Sequence, residues 1–378
     1  MTTLSVPVYQ TLDTLPASYP SLFATADSFY LSRPWFRTLT ATTADDGDRL
    51  RIYGVETGGE AEAALIARVP RRTIRQGGIR QGGVERIGPI ALRTLAGFTT
   101  VYSPLFSLVR RPGADEAAIA RALAAALADE RWDCIHLKAL EPAAPEFVAL
   151  HQALREQGRI VQPYLGFGNW FETTAGTSFD AYLARRPAAL INTLRRKEKK
   201  LGKQAGLRFR RYRDPAEADE GIAAYQRVYA NSWKQPEPYP QFMPALIRTA
   251  ADLGALRLGV VWIGEEPVAA QVWVTWRGRA TIFKLAHDRR CDALSVGSVL
   301  TMWMMRDALE EDRVGEVDFG VGDDPYKRIW LSQRRERWGL LALSPQTARG
   351  LLGIVRHLGG RAIRQALCRS AKPQPTFS

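Results

Sequence analysis

The segment from Ala280 to Leu341 restricts most strongly how this chain can fold. It reads in order as a strand (TIFKLAHD), a loop rich in small residues and arginine (RRCDALSVGS), a helix (VLTMWMMRDALEED), a second strand (GEVDFGVG), a short helical turn (DDPYKRIW) and a closing strand (RERWGLLAL). A helix that opens from such a loop leaves its first backbone N–H groups without partners. The segment therefore predicts an anion-binding site at the start of the helix.

The predicted anion site is a run of five residues: Leu294, Ser295, Val296, Gly297 and Ser298. We expect Ser295 or Ser298 to be the N-cap, and Gly297 to let a ligand approach the backbone closely. Arg289 and Arg290 lie just upstream, where they would add fork-shaped donors to phosphate oxygens. The loop alone also fits an ordinary capped helix start in a strand–loop–helix unit.

The composition is that of a folded protein with a basic surface. The chain has 378 residues, of which 46% are apolar and 24% charged, enough for two domains that each bury a core. The formal net charge is +13, so an anionic partner is expected. A CoA thioester, a nucleic acid and the inner face of an acidic membrane all fit this charge.

The cysteines and the apolar segments restrict the compartment. Cys134, Cys291 and Cys368 lie far apart and lack metal-ligand spacing, which argues against a disulfide framework and against a metal site. The N-terminus lacks a basic start followed by an uninterrupted apolar stretch, and no apolar run approaches the roughly 20 residues that span a bilayer. These features predict a cytoplasmic protein in a reducing environment.

The first half of the chain repeats the plan of the second half. A hairpin is predicted at residues 50–69, and the elements that follow are a helix over 115–128, a strand over 133–137, a helix over 145–157 and a strand over 161–172. This order matches that of the second half without its anion loop. We therefore expect an α/β (α+β) fold with two tandem domains and mixed central sheets. The first domain would span residues 1–172 and have a degenerate site, and the second would span residues 178–345.

Two segments of the first half lack a clear element type. The tandem IRQGGIRQGG at residues 74–83 is rich in glycine and polar side chains, so a surface loop is predicted there. The segment from Leu95 to Leu108 contains an apolar, strand-like stretch over residues 99–106. Such a stretch suits a buried sheet or the wall of a groove.

Basic residues concentrate in two amphipathic segments. Apolar residues recur at helical spacing over residues 179–203, Pro187 should divide this segment into two helices, and eight lysines and arginines occupy its other faces. A solvated surface and an anionic partner are both consistent with so basic a helix. The tail at residues 346–378 combines apolar residues with five arginines, which predicts either a terminal helix packed on the second domain or reversible binding to an acidic membrane.

Four short motifs in the second half occur in the order of a known superfamily. They are Phe179-x-x-Tyr182-Leu183 with Asn192-Thr193-Leu194-Arg195-Arg196-Lys197-x-Lys199-Lys200-Leu201, then Pro267-Val268-Ala269-Ala270, then Ser295-x-Gly297, and Asp318-Phe319-Gly320-x-Gly322-x-x-x-Tyr326-Lys327. On these residues the chain resembles the GNAT acyltransferase superfamily, in the cellulose-biosynthesis-type acetyltransferase branch, which is related to the Fem-type aminoacyl transferases. The branch usually has Ser-Pro-Gly at the position of Ser295-Val296-Gly297, and often has Tyr-Asp at the position of His287-Asp288.

The resemblance implies transfer of an acyl group from acyl-CoA or acetyl-CoA to an amine, with no metal. Such a reaction needs the thioester held, its carbonyl polarised and a proton removed from the attacking ammonium. His287 ends a strand beside the anion loop and is a candidate base, with Asp288 orienting it; a histidine that merely caps the strand is the alternative.

The remaining site residues rest on the resemblance. Tyr326 would protonate the leaving thiolate, and Lys327 and Arg328 would contact phosphate or a pantetheine carbonyl. Asp318 would face the loop, or alternatively would hold the glycines at Gly320 and Gly322.

Three functions fit these observations. The first is an N-acyltransferase with its acceptor between the two domains, slightly favouring a long-chain lipid amine, as in bacterial ceramide synthesis, over an amino sugar or polysaccharide. A lipid acceptor would place the enzyme peripherally at the inner membrane face. The second is a Fem-type aminoacyl transferase, with the basic helix from Arg195 to Lys203 binding tRNA. A nucleic-acid-binding protein without catalysis is the third, and it is disfavoured because the basic residues do not alternate with aromatic ones.

Overall fold

A computed structural model of the protein describes residues 4–44, 48–70, 86–87 and 90–357. The elements of the first half are β1 (Leu4–Ser5), β2 (Val8–Tyr9), α1 (Ser18–Ala24), α2 (Arg33–Thr43), β3 (Arg49–Thr57), β4 (Glu60–Val69), β5 (Arg86–Ile87), β6 (Ile90–Ala91), β7 (Thr94–Gly97), β8 (Val109–Arg110), α3 (Glu116–Asp129), β9 (Cys134–Leu140), α4 (Pro145–Glu156) and β10 (Ile160–Thr173).

The second half begins with two helices and then alternates helices with strands. Its elements are α5 (Phe179–Ala184), α6 (Ala188–Leu201), β11 (Leu207–Tyr212), α7 (Ala218–Ala230), α8 (Phe242–Asp252), β12 (Leu256–Ile263), β13 (Glu266–Trp276), β14 (Arg279–His287), α9 (Val296–Glu310), β15 (Glu316–Asp318), α10 (Lys327–Trp330), β16 (Gln333–Leu343) and α11 (348–357). The division of the basic segment by Pro187 is confirmed, since this proline lies at the N-cap of α6.

Among the described residues, one 14-stranded mixed sheet runs through both halves. Twelve of its strands lie in the order β1-β3-β4-β7-β9-β16-β10-β15-β14-β13-β12-β11, and the other two, β2 and β8, pair with β3 and β4. The paired strands β7 and β9 are parallel, as are β14 and β15, and the other pairs in this order are antiparallel. Each half therefore contributes an antiparallel meander that ends in one parallel pair. The predicted two-domain α/β architecture with mixed sheets is confirmed.

The last strand of each half crosses to the other half. Strand β10 pairs with β15, with Phe171 opposite Asp318, and β16 pairs with β9, with Leu340 opposite Leu137. The two exchanged strands also pair with each other along their length. Because of this exchange the sheet is continuous across the predicted boundary, and the division at 1–172 and 178–345 stays a prediction.

Helices cover the sheet and enclose its apolar cores. In the second half, α9 packs against β12, β13 and β14 and buries Val299, Leu300, Met304 and Met305. A second, larger core joins α3 and α4 of the first half to α7 and α8 of the second. The two halves therefore share apolar packing as well as strands.

The segment from Leu95 to Leu108 departs from its predicted strand. After β7 ends at Gly97, residues 99–108 form a loop, in which the hydroxyls of Thr100 and Ser103 accept hydrogen bonds from the backbone N–H groups of Tyr102 and Thr100. These local bonds replace a strand ladder. The prediction of a groove wall suits this loop better, because Val101 and Tyr102 line a cavity. The repeat at 74–83 lies outside the described residues.

Helix α11 is the part of the predicted tail that the structure describes. Its Ile354 is buried against Leu92, Cys134 and Leu343, whereas Leu351 and Leu352 are half exposed on the same helix. The helix is thus attached to the sheet by one face and presents apolar side chains on another. Across residues 4–44, 48–70, 86–87 and 90–357, the helices are all too short or too polar to cross a membrane.

Candidate functional site

The parallel strands β14 and β15 separate after a short contact. They pair only from Arg279 to Thr281 on β14, and β15 then ends at Asp318 while β14 continues to His287. Gly320 has a φ of +61°, and a Cβ there would lie 3.2 Å from the carbonyl oxygen of Ile282. The separation leaves residues 282–287 of β14 with an edge that no described strand covers. An extended ligand can hydrogen-bond to such an edge.

The first turn of α9 lies beyond the end of β14. A 3₁₀ turn over Arg289–Leu294 leads to Ser295, whose φ of +54° is left-handed. The N–H groups of Ser298 and Val299 bond to the carbonyl of Ser295, so they are already satisfied. Those of Val296 and Gly297 have no hydrogen-bond partner within the described chain. The start of α9 thus has donors available for an anion.

The sequence predicts that Ser295 or Ser298 caps the helix, but the side chain of Ser295 does not do so. It holds the N-cap position, yet its side chain makes no cap hydrogen bond, and Ser298 lies inside the first turn. The left-handed backbone of Ser295 carries the chain from the 3₁₀ turn into α9. The available groups are therefore backbone N–H groups, with Gly297 adding no side chain above them.

Basic side chains surround this turn. Helix α6 packs against it, and the ammonium of Lys197 donates to the carbonyl of Ala293 at 2.8 Å. Arg289 is exposed nearby. The Arg290 guanidinium is exposed but pairs with Asp288 at 2.6 Å, and this hydrogen bond holds the pKa of the Asp288 carboxyl below its usual range. The predicted phosphate region is thus strongly cationic.

His287 lies between this turn and the loop that follows α7. Its Nε2 is 2.9 Å from Asp292 Oδ1, and its ring packs on Trp233 with 4.6 Å between centroids. The predicted pairing with Asp288 is wrong, because neighbouring residues at a strand end point to opposite faces and Asp288 instead binds Arg290. Its role as the base stays a prediction.

At the other end of the separated strands lies a cavity of about 210 Å³. It is lined from the first half by the loop after β7, and from the second half by β14, by the loop after β15 and by the loop after α7. The polar and charged side chains of its lining include Tyr102, Lys234, Lys284, Asp324, Tyr326 and Lys327. Tyr102 stacks on Phe242 of α8 with 4.0 Å between ring centroids, which closes the cavity between the halves.

A carboxylate whose side chain is 10% exposed connects three segments beside this cavity. Glu237 accepts a hydrogen bond from the Tyr102 hydroxyl at 2.5 Å and lies 2.8 Å from the Lys284 ammonium. Burial and the nearby carboxylate raise the pKa of Tyr102 well above its ordinary value. These residues and Lys234 could not be identified from the sequence, because they come from distant segments with no shared motif.

The motif after β15 holds the loop in place. Asp318 is buried and accepts hydrogen bonds from the Gly320 N–H at 2.6 Å and from the Asn169 amide at 2.7 Å, so its alternative, structural role is the one that its contacts support. Lys327 is buried and donates to the carbonyls of Phe319 and Val321 at 2.9 and 2.7 Å.

Two further residues of the predicted set lie close to this loop. Tyr326 lines the cavity and is 40% exposed, and its partial burial raises the pKa of its hydroxyl above the ordinary value. Arg328 is exposed on α10. Across the described ranges, no group of three or more His, Cys, Asp and Glu side chains could hold a metal ion.

The first half has an equivalent cavity without the anion site. The parallel strands β7 and β9 pair at residues 94–96 and 134–136, and a cavity of about 350 Å³ lies beside the ends of these contacts. The following helix, α3, begins with Asp115, whose side chain caps the N–H of Ala118, and with Glu116. These carboxylates occupy the place where an anion would bind. Val101 and Val321 line both cavities, so the two are adjacent.

The arrangement of the second half matches a known family. Residues 188–328 match the family described as the acetyltransferase (GNAT) domain. No curated protein sequence matches the chain significantly.

Three solved structures share the fold at low identity. FemX aligns at 10% identity with a TM-score of 0.56, covering 88% of this chain and 96% of that one. The C-terminal domain of a putative lysylphosphatidylglycerol synthetase from Agrobacterium fabrum aligns at 12% identity with a TM-score of 0.52, covering 88% of this chain and 93% of that one. A conserved protein of unknown function from Bacteroides thetaiotaomicron aligns at 10% identity with a TM-score of 0.53, covering 90% of this chain and 100% of that one. At such identities the likeness shows the fold alone.

Proposed function

We propose that this chain, whose residues 188–328 match the family described as the acetyltransferase (GNAT) domain, transfers an acyl group from a CoA thioester to the amine of an envelope-related acceptor. The observation that carries this proposal is the uncovered edge of β14. This edge runs from the cavity at Ile282 to His287, beside the unpaired N–H groups of Val296 and Gly297. The edge thus connects an anion site with a cavity.

The two ends of this edge suit the two ends of CoA. The CoA phosphates would bind at the first turn of α9, where the helix N-terminus and the cations Lys197 and Arg289 favour negative charge. The pantetheine amides would hydrogen-bond to the edge of β14, as an added strand does. The thioester would then lie in the cavity beside Lys284 and Tyr326.

The acceptor would enter through the cavity of the first half. That cavity adjoins the thioester cavity at Val101 and Val321, and carboxylates block the helix start that would otherwise bind a phosphate. Its lining is partly apolar, with Phe167 and Gly97 next to the pair formed by His136 and Tyr164. A mixed lining of this kind favours a long-chain lipid amine over a free amino sugar.

The donor is tested by following the release of free CoA. We expect the purified protein to release free thiol, detected with a chromogenic disulfide, when it is mixed with an acyl-CoA and a primary amine. Acetyl-CoA, octanoyl-CoA and palmitoyl-CoA would each be paired with hexadecylamine and with glucosamine, and the N-acyl product would be confirmed by mass spectrometry. Palmitoyl-CoA with hexadecylamine should be the fastest pair.

A second candidate is the Fem-type aminoacyl transferase, which the exposed basic face of α6 favours. Arg195, Arg196 and Lys199 are exposed there, and a helix of this kind can bind a tRNA backbone. Transfer of a labelled amino acid from aminoacyl-tRNA, with no thiol released from any acyl-CoA, would support this candidate instead.

The exposed face of α11 gives a prediction about the membrane. Leu351 and Leu352 are 50% and 45% exposed, and Arg349 and Arg356 lie on the same helix, so this face suits an acidic bilayer. We expect Leu351→Ser with Leu352→Ser to reduce co-sedimentation with phosphatidylglycerol vesicles by at least about fivefold. A leucine side chain that becomes buried in the bilayer contributes ~1.5–3 kcal/mol to binding. Thermal stability should hardly change.

Ile354→Ser is the matched comparison on the same helix. Ile354 is 7% exposed and packs on the sheet, so its replacement should lower the thermal midpoint. If the intact protein ignores anionic vesicles at low salt, or if the two leucine changes unfold it, α11 is a packing helix and the lipid acceptor loses its main support.

A further inference from the structure

Three lysines line the cavity between the halves, and two of them, Lys234 and Lys284, differ in their partners. Lys284 on β14 lies 2.8 Å from the Glu237 carboxylate and 5.1 Å from the centre of the Tyr102 ring, so its charge is compensated. Lys234, in the loop after α7, lies over the Trp233 ring at 5.4 Å. No carboxylate among the described residues comes within salt-bridge distance of the Lys234 ammonium. One lysine is therefore paired with a carboxylate, and the other has no such partner among the described residues.

The groups around Lys234 come from four segments. Lys284 faces it from β14, Glu237 from its own loop, Asp324 from the loop after β15, and Lys327 from α10. Lys327 is bound by backbone carbonyls and lies 3.6 Å from Asp324, whose side chain is 61% exposed. Burial and, next, the Lys284 ammonium lower the pKa of Lys234, while Glu237 and Asp324 oppose that change. The balance favours the neutral amine more than at an ordinary lysine.

We propose that Lys234 is the general base that deprotonates the acceptor's ammonium group in the cavity. This inference rests on the proposed N-acyl transfer. Its geometric basis is that Lys234 lines the cavity where the open edge of β14 begins, beside a second, compensated cation. A lysine next to another cation is a known way to obtain a neutral amine near neutral pH.

The proton balance of this step is complete. Neutral Lys234 Nζ takes one proton from the acceptor R–NH₃⁺, and the free amine attacks the thioester carbonyl carbon. The C–N bond forms and the C–S bond breaks, so the electron pair leaves with sulfur. A second proton passes from nitrogen to the thiolate, giving the amide and free CoA, and Lys234 returns its proton to solvent.

His287 is the competing base, and its position is less suitable. It lies outside the lining of the cavity, its Nε2 is engaged with Asp292, and its ring packs between Trp233 and Gly297. Lys284 is less suitable because its ammonium is paired with the Glu237 carboxylate at 2.8 Å. Lys284 is therefore a positioning residue whose charge lowers the pKa of Lys234.

The first test compares Lys234→Arg with Lys234→Gln in the full-length protein. Arginine keeps the charge and most of the length but cannot be deprotonated. For the most active acyl-CoA and amine pair, we expect both variants to lose roughly 10²–10⁴-fold in kcat. The rise of kcat with pH that we expect for the parent should disappear in both variants. CoA affinity, measured by calorimetry, should stay within about threefold because the phosphate site is remote. An arginine variant within a few-fold of the parent would overturn the inference.

The second test needs no turnover, and therefore separates this inference from the proposed function. Competitive labelling with acetic anhydride, quantified by mass spectrometry over a range of pH, reports the pKa of each lysine. Lys234 should titrate below the ordinary lysine value. Lys284→Met should raise the pKa of Lys234 because the neighbouring cation is lost. The same variant should move the rise of kcat to higher pH. A Lys234 that titrates at the ordinary value in the parent would overturn the inference, whatever the donor is.

Discussion

Replacing Glu172 with leucine is expected to lower the free energy of unfolding by about 3–5 kcal/mol, which is the effect of removing one partner of a buried ion pair. Glu172 lies on the exchanged strand β10 and pairs with Arg186 at 2.9 Å, with both side chains 4% exposed. The same carboxylate accepts hydrogen bonds from the N–H and hydroxyl of Ser332, at 2.7 and 2.6 Å. Its loss leaves a buried guanidinium without a counterion.

Urea unfolding followed by circular dichroism measures this effect. Glu265→Leu is the matched control, because Glu265 pairs with Arg208 at 3.2 Å while its own side chain is 90% exposed. Exposed pairs contribute about 0–1 kcal/mol. The double variant Glu172→Leu with Arg186→Met should recover part of the loss, since it removes both charges. A loss below about 1 kcal/mol for Glu172→Leu would show that the pair does not hold β10 in place.

Replacing Gly297 with valine is expected to lower CoA affinity by at least about 100-fold. The side chain would cover the first turn of α9, where the N–H groups of Val296 and Gly297 are unpaired. Each hydrogen bond lost to a charged phosphate costs about 1.5–3 kcal/mol. Calorimetric titration of the folded variant with CoA measures the affinity, and thermal unfolding checks the fold.

The neighbouring histidine complicates this variant, and a double variant resolves it. A Cβ at position 297 would lie 3.0 Å from His287 Nδ1, so valine also pushes on the imidazole ring. In His287→Ala with Gly297→Val the ring is absent, and weak CoA binding there would be due to the covered N–H groups. If CoA affinity is unchanged in the folded single variant, the start of α9 is an ordinary capped helix.

Local patterns were sufficient to predict the elements that position the proposed donor site. The strand, small-residue loop, helix and second strand between residues 280 and 318 are present as β14, the 3₁₀ turn, α9 and β15. Period-two alternation, helical spacing and Pro187 act over a few residues, so each element's type can be read from its own letters. The same holds for α3, β9 and α4 of the first half.

The cavity side chains could not be predicted in this way. Tyr102, Glu237 and Lys284 meet through contacts between residues up to 182 positions apart, and none of them belongs to a motif. The pairing of His287 with Asp292 in place of Asp288 likewise depends on how the 3₁₀ turn folds back. Burial and a neighbouring charge decide the pKa of Lys234, and both come from tertiary contacts.

The sequence by itself determined the type and order of the elements, the basic charge and the small-residue loop before α9, because these depend on residues that are close together in the chain. Only the tertiary structure decided that β10 and β16 exchange halves and form the centre of one sheet. A strand's alternation specifies which side chains face the core, but its unpaired N–H and C=O groups accept any strand of matching direction. The choice of partner therefore depended on long-range packing, and the same packing placed Lys234 and Lys284 in one cavity.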